Sequence, residues 1–120
     1  VKLHIATDDG SVGHKGYNTE IFESLVRERK WERRKLRAVC VGPELMMKRV
    51  SDIAFAAKIS CQVSLERYMK CGFGICGNCT VDDSGERMCM EGPALDHLKA
   101  RKLKDFGVYH RDKVGRKIFF

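Results

Sequence analysis

Four cysteines within 19 residues constrain this chain more than anything else in it. Cys71, Cys76 and Cys79 follow one another with four and then two residues between them, and Cys89 comes after nine more. That C-x4-C-x2-C…C order is the plant-type spacing that wraps a [2Fe–2S] cluster. Three thiolates on so short a loop can face one inorganic core only if the backbone curls around it, and Gly72, Gly74, Gly77 and Asn78 tolerate the positive φ this requires. Two other uses of cysteine compete. Structural zinc usually takes its cysteines as two C-x2-C knuckles, and only Cys76 and Cys79 form one here. Disulfides need an oxidising compartment, yet no hydrophobic secretory segment is seen and the thiols are clustered rather than spread as staples. A zinc-stabilised interaction domain therefore stands as the bland alternative to a redox centre.

A chain of 120 residues with 43% apolar content can bury one modest core. Its apolar stretches are interrupted by lysine or arginine far short of the roughly 18 residues a spanning helix needs, so a cytoplasmic protein without membrane attachment is expected. The net charge of +7 is unevenly placed: Arg27 to Arg37 holds seven Lys/Arg against two Glu, and Lys99 to Lys117 holds eight against two Asp. Such segments are ordinarily solvated faces. With no nucleic-acid motif beside them, no nucleic-acid partner is expected; a basic rim suits docking of an acidic subunit or attraction of pyridine-nucleotide phosphates. Beginning at Val1 in a strand-like run, the chain reads as a processed form or a fragment.

Residues Lys2 to Thr7 read as a strand, and Asp8-Asp9-Gly10-Ser11 as the loop after it. A helix capped by Asn18 or Thr19 follows, with Ile21, Phe22, Leu25 and Val26 at helical spacing. Ala38 to Val41 form a second strand, ended by Gly42-Pro43, where proline suits the first helical position. Met46, Met47, Val50, Ile53, Ala54 and Ala57 lie on one helical face, and Ile59, Cys61, Val63 and Leu65 alternate as a half-buried strand should.

Strand, helix, strand, helix, strand implies an α/β fold: part of a nucleotide-binding parallel sheet with right-handed crossovers, over residues 1–66. The glycine-rich G-x-G-x-x-G turn that opens such a module is absent, so only its second half is expected. Residues 67–120 read as a small cluster-binding subdomain with a tail. Asp82-Asp83-Ser84-Gly85 has hairpin-turn composition and would return the chain so that Cys89 closes the cluster. Leu95, Leu98, Leu103 and Phe106 read as anchors of the tail, and His4, His14, His97 and His110, lacking paired spacing, as surface or turn histidines. The uncovered half-sheet predicts self-association or pairing with another chain.

Two sets of residues carry a family resemblance. Thr7, Asp8, Asp9, Gly10 and Ser11 with Gly13 and Gly16, then Gly42-Pro43-Glu44 followed by Met46-Met47-Lys48, resemble the nucleotide-binding domain of the ferredoxin-NADP reductase superfamily. Within it, Ser64 to Lys70 leading into the cysteines, Cys89-Met90-Glu91-Gly92-Pro93, and the tail Phe106 to Asp112 resemble the electron-transfer subunit of class 1B dihydroorotate dehydrogenase. That resemblance implies Cys71, Cys76, Cys79 and Cys89 as ligands of a [2Fe–2S] cluster, and nucleotide contacts from Thr7, Asp8, Asp9, Gly10, Ser11, Gly42 and Pro43. It further implies a relay of electrons between an FAD/NAD(H) site and the FMN of a catalytic partner that oxidises dihydroorotate. FAD and NAD(H) belong to the full-length subunit; no FAD barrel is seen in this chain, which is not expected to retain them or to be catalytic alone. Electron-transfer subunits of hydrogenases and sulfite reductases share both patterns and are the alternative assignment. One departure concerns Cys40: many relatives place a cysteine directly before Gly-Pro, whereas Val41 stands there, so Cys40 reads as a buried strand cysteine.

Overall fold

A computed structural model describes residues 1–28 and 35–120. Much of the first basic segment, with Trp31, lies outside the described residues. Strand β4 (Ser60–Ser64) is the centre of a three-stranded sheet. The alternation of its apolar residues holds, with Ile59, Cys61, Val63 and Leu65 all at 4% exposure or less. On one side β4 pairs in parallel with β3 (Arg37–Cys40), and on the other it pairs antiparallel with β5 (Ala94–Asp96). Between β3 and β4 runs helix α2 (Glu44–Ala57), which turns Met47, Val50, Ile53 and Ala54 inward; Met46 and Ala57 sit at the margin of the same core.

Helix α2 ends in a reciprocal pair of hydrogen bonds, Ile59 N–H to the Ala54 carbonyl at 2.9 Å and Lys58 N–H to the Phe55 carbonyl at 3.1 Å. This closure needs a left-handed residue, and Lys58 takes that role at φ 57°. Pro43 lies one position earlier than expected: it is the N-cap, and its carbonyl accepts the Met47 N–H at 3.0 Å.

The first strand is shorter than its composition suggests. Ladder pairing covers only β1 (Ala6–Thr7), whose partner is β2 (His14–Lys15), parallel to it across a tight loop. The loop fits only because Gly13 is glycine: at φ 74° a Cβ there would stand 2.2 Å from the Ile5 carbonyl oxygen. This two-stranded ribbon is separate from the β3-β4-β5 sheet, in which the expected parallel pairing is present at β3-β4 and an antiparallel strand, β5, is added to it.

Helix α1 (Asn18–Arg27) has Tyr17 at its N-cap with no side-chain cap, a correction to the reading of Asn18 or Thr19. Asn18 is drawn instead to α2, its amide Nδ2 3.0 Å from Met46 Sδ. The expected hairpin after the cysteines reduces to a single bridge, Thr80 to Arg87, followed by the helical turn α3 (Met88–Glu91). Helix wins there because the Glu91 carboxylate accepts the Arg87 N–H at 2.6 Å and pairs with its guanidinium at 3.1 Å. A second short helix, α4 (His97–Ala100), leads to the tail hairpin of β6 (Tyr109–Arg111) and β7 (Lys117–Phe119). Leu95, Leu103 and Phe106 are buried as expected, whereas Leu98 is half exposed because Asp96 caps α4 and turns Leu98 outward. His97 is buried rather than superficial, its ring against Ser51 of α2.

Lys58→Gly removes the left-handed penalty of a side chain and is expected to raise unfolding stability by about 1 kcal/mol. A denaturant titration reads this; a stability loss would contradict the closure described.

Candidate metal centre

The four cysteines sit at the junction of the core and the surface. Cys79 is 2% exposed and belongs to the apolar core, Cys71 and Cys89 are half-buried, and Cys76 is exposed. The backbone between Cys71 and Cys79 turns repeatedly through the left-handed region, at Gly72 (φ 75°), Gly74 (φ 80°) and Gly77 (φ 68°). A Cβ on Gly74 would come 2.9 Å from Met90 Cγ and 3.0 Å from Arg87 Nη1.

These turns aim amide groups at sulfur. The N–H groups of Cys76 and then Phe73 point to the Cys71 thiol and pull its pKa down to about 6. The Cys89 N–H donates to Cys79 Sγ at 3.4 Å. Partial desolvation, with the Cys79 and Cys71 thiols as neighbours, holds the Cys89 thiol above its ordinary range. The donor set therefore offers thiolate stabilised by backbone dipoles, the chemistry an iron–sulfur cluster asks of its loop. Among the described residues, no three His, Cys, Asp or Glu side chains converge as a site for a metal ion.

Sequence reading missed the residue that holds the loop. Arg87 donates to the Gly74 carbonyl at 2.9 Å while bonded to Glu91, clamping the loop to α3. Nothing in its sequence position announces this, because Gly74 lies 13 residues away. Asn78 steadies the other end, donating to the Tyr68 carbonyl at 2.9 Å. Phe73 and Ile75, at 62% and 79% exposure, stand in solvent rather than pack within the loop.

The tail is fastened to this region through Asp82. Arg111 Nε and Nη2 donate to its two oxygens at 3.0 and 2.9 Å, and the Tyr109 hydroxyl donates to Oδ2. Arg111 first, then Tyr109, hold the Asp82 carboxyl down to about 2.

The seven nucleotide candidates do not converge on one place. Asp8 and Pro43 meet in a cavity of about 690 Å³ between the β1 end and α2, with Tyr17, Asn18 and Arg49. Gly42 and Pro43 border a second cleft of about 670 Å³ with Glu44, Arg67 and Tyr68. Thr7, Asp9, Gly10 and Ser11 line neither. Thr7 Oγ1 donates to the Val12 carbonyl at 3.0 Å and Asp9 accepts the Ser11 N–H at 2.9 Å, which makes them turn formers in the described contacts.

A buried ionic triad lies under the second cleft. Arg67 Nη1 is 2.7 Å from Glu44 Oε2 and Nη2 is 3.1 Å from Asp105 Oδ2, all three side chains being 6% exposed or less. Glu44 also accepts the Gly107 N–H at 3.0 Å. Among the described residues Arg67 Nε and Asp105 Oδ1 have no hydrogen-bond partner, and burial pushes the Asp105 carboxyl above its usual range despite Arg67.

Comparison with known proteins meets this geometry at the cysteines. Residues 66–99 match the family described as "Iron-sulfur cluster binding domain of dihydroorotate dehydrogenase B". Over 119 residues the chain is 48% identical to the Methanocaldococcus jannaschii protein named "Probable dihydroorotate dehydrogenase B (NAD(+)), electron transfer subunit", covering 99% of this chain and 45% of that one. The Clostridium acetobutylicum dihydroorotate dehydrogenase B (NAD(+)) electron transfer subunit is 36% identical over 78% of this chain and 36% of its own length. This chain is a homologue of dihydroorotate dehydrogenase B electron transfer subunits. It spans less than half the length of these relatives. A chain in the solved structure of an NADH-dependent reduced ferredoxin-NADP oxidoreductase superposes with a TM-score of 0.62 at 35% identity, over 80% of this chain and 34% of that one. The α/β reading and the ferredoxin-reductase likeness of the sequence are thus borne out, and the iron–sulfur domain falls on the cysteine run. No helix among the described residues is long and apolar enough to cross a membrane.

Two outcomes follow. Gly74→Ala forces a side chain into the left-handed region against Met90 and Arg87, and is expected to cost at least about 1–2 kcal/mol of stability in denaturant unfolding. Asp82 lends stability at any pH above its ordinary 3.8, and this is lost as pH falls through about 2. Asp82→Asn should therefore flatten the acid limb of the stability curve, measured by circular dichroism against pH.

Proposed function

We propose that this chain relays single electrons through a [2Fe–2S] cluster held by Cys71, Cys76, Cys79 and Cys89, within the electron-transfer subunit of a dihydroorotate dehydrogenase. The observation that carries the reading is the loop from Cys71 to Cys79, whose left-handed glycines turn amide N–H groups onto the Cys71 thiol. In this reading electrons pass between an FAD/NAD(H) site and the FMN of a catalytic subunit. The names of the curated relatives support the subunit assignment, and the family match at 66–99 supports the cluster.

When bound, the cluster supplies storage for one electron at a time, which suits a step between two flavins that each handle an electron pair. The chain's own residues do the rest. Backbone N–H groups stabilise thiolate charge at Cys71, Arg87 fixes the loop through the Gly74 carbonyl, and Cys79 anchors the inner side to the core. Asp8 and Pro43 face the cavity at the β1 end, where an α/β sheet gathers ligands; it is the proposed entrance for pyridine nucleotide. Thr7, Asp9, Gly10 and Ser11 shape the neighbouring loop, and Gly42 the turn before α2.

Iron and acid-labile sulfide analysis of freshly purified protein, with an electron paramagnetic resonance spectrum after dithionite, tests the reading. About two irons and two sulfides per chain with a rhombic reduced signal are expected. Zinc without sulfide would overturn it.

A further inference from the structure

The buried triad joins three segments that are far apart in sequence and all border the same cleft. Glu44 opens α2 directly after Gly42-Pro43. Arg67 lies four residues before Cys71 and also donates from Nη1 to the Glu66 carbonyl at 2.8 Å. Asp105, with the Gly107 N–H on Glu44, brings in the tail. The cleft of about 670 Å³ above them is walled by Gly42 to Leu45, by Glu66 to Tyr68, and by the tail from His110 to Lys113.

Stability alone is a poor reason for such a group. A buried guanidinium between two carboxylates carries a desolvation penalty that well-packed apolar side chains would avoid, and here Arg67 Nε and Asp105 Oδ1 have no hydrogen-bond partner among the described residues. What a guanidinium adds over a hydrocarbon is direction. Its rigid planar fork fixes the angle as well as the distance of each carboxylate it holds. The two elements so fixed are the Gly42-Pro43 corner and the strand end that launches the cysteine loop.

We propose that Arg67 is a positioning residue for electron relay: through Glu44 and Asp105 it sets the cysteine loop at a fixed place and angle against the Gly42-Pro43 corner. The proposal rests on the relay reading above. Arg67 touches no reacting atom in it. A small displacement of the loop leaves the thiols able to hold a cluster but lengthens the path by which an electron reaches it.

The test uses the full-length subunit assembled with its catalytic partner. Wild type, Arg67→Lys, Arg67→Met and Asp82→Asn are compared for iron and sulfide content, for thermal midpoint, and for the rate at which the reduced cluster signal appears after mixing with NADH. Asp82→Asn is the control for stability, because Asp82 ties down the tail without touching the triad. The expected result is unchanged cluster content in every variant, with a rate at least about tenfold slower in Arg67→Met, an intermediate rate in Arg67→Lys, and the wild-type rate in Asp82→Asn. Glu44→Gln, which keeps the shape and one acceptor, repeats the measurement should Arg67→Met fail to fold, and the same slowing is expected of it. Wild-type rates in the Arg67 and Glu44 variants would overturn the proposal, as would equal slowing in Asp82→Asn. A wild-type protein with no cluster, or one that NADH does not reduce, would bring down the relay reading itself and this inference with it. That failure is visible before any substitution is examined.

Discussion

The two-residue period of β4 is the constraint on which the other elements depend. Every second residue from Ile59 to Leu65 is buried, and each fully buried side chain of this kind contributes about 1.5–3 kcal/mol. Their shared face must be covered, and α2 covers it with Met47, Val50 and Ala54. The backbone edges of β4 must also be paired, and β3 and β5 take one each. A slip of one residue would turn Cys61 and Val63 to solvent and bring Ser60 and Gln62 inside. The positions of Gly42-Pro43, at the end of β3, and of the cysteine loop, just beyond β4, follow from this register.

Two kinds of attachment then complete the molecule. Apolar packing joins α2, β4 and the segment from Cys79 to Met88, where shape matters more than direction. Ionic fastening joins the tail, through Asp82 and through Asp105, where direction matters more than area. The second kind appears where elements must meet at a defined angle around the cleft. The basic composition of the tail is thereby explained: Lys99, Arg101, Lys104, Arg111, Arg116 and Lys117 each have a carboxylate partner in the structure, so much of that charge serves attachment within the chain.

Local patterns were legible in the amino-acid sequence, and distant ones were not. The face of α2 and the alternation of β4 could be read because helical and strand periods repeat within a few residues. The cysteine loop could be read because its spacing and its glycines describe one tight turn. Lys2 to Ile5 misled because a strand needs a partner, and the partner β2 is only two residues long. Cys89 lies on a helical turn because Glu91 captures Arg87, a contact that outweighs the turn composition before it. The triad was invisible: Glu44, Arg67 and Asp105 are 23 and 38 residues apart, and only the folded chain brings them together. His97 escaped for the same reason, since the Ser51 that buries it is 46 residues away.

The participation of Cys79, Val81 and Met88 in the core shared with α2 and β4 has a consequence for how the molecule opens. A surface loop with its own few contacts can detach while the rest stays folded. Here, lifting the segment from Cys79 to Met88 would uncover side chains that also support Leu65 and Met47. Opening of the cysteine region is therefore a cooperative event that draws on the stability of the whole core. Whatever occupies the thiols is coupled by mass action to the folding of the entire chain, and a substitution deep under α2 is felt as looser hold on that occupant.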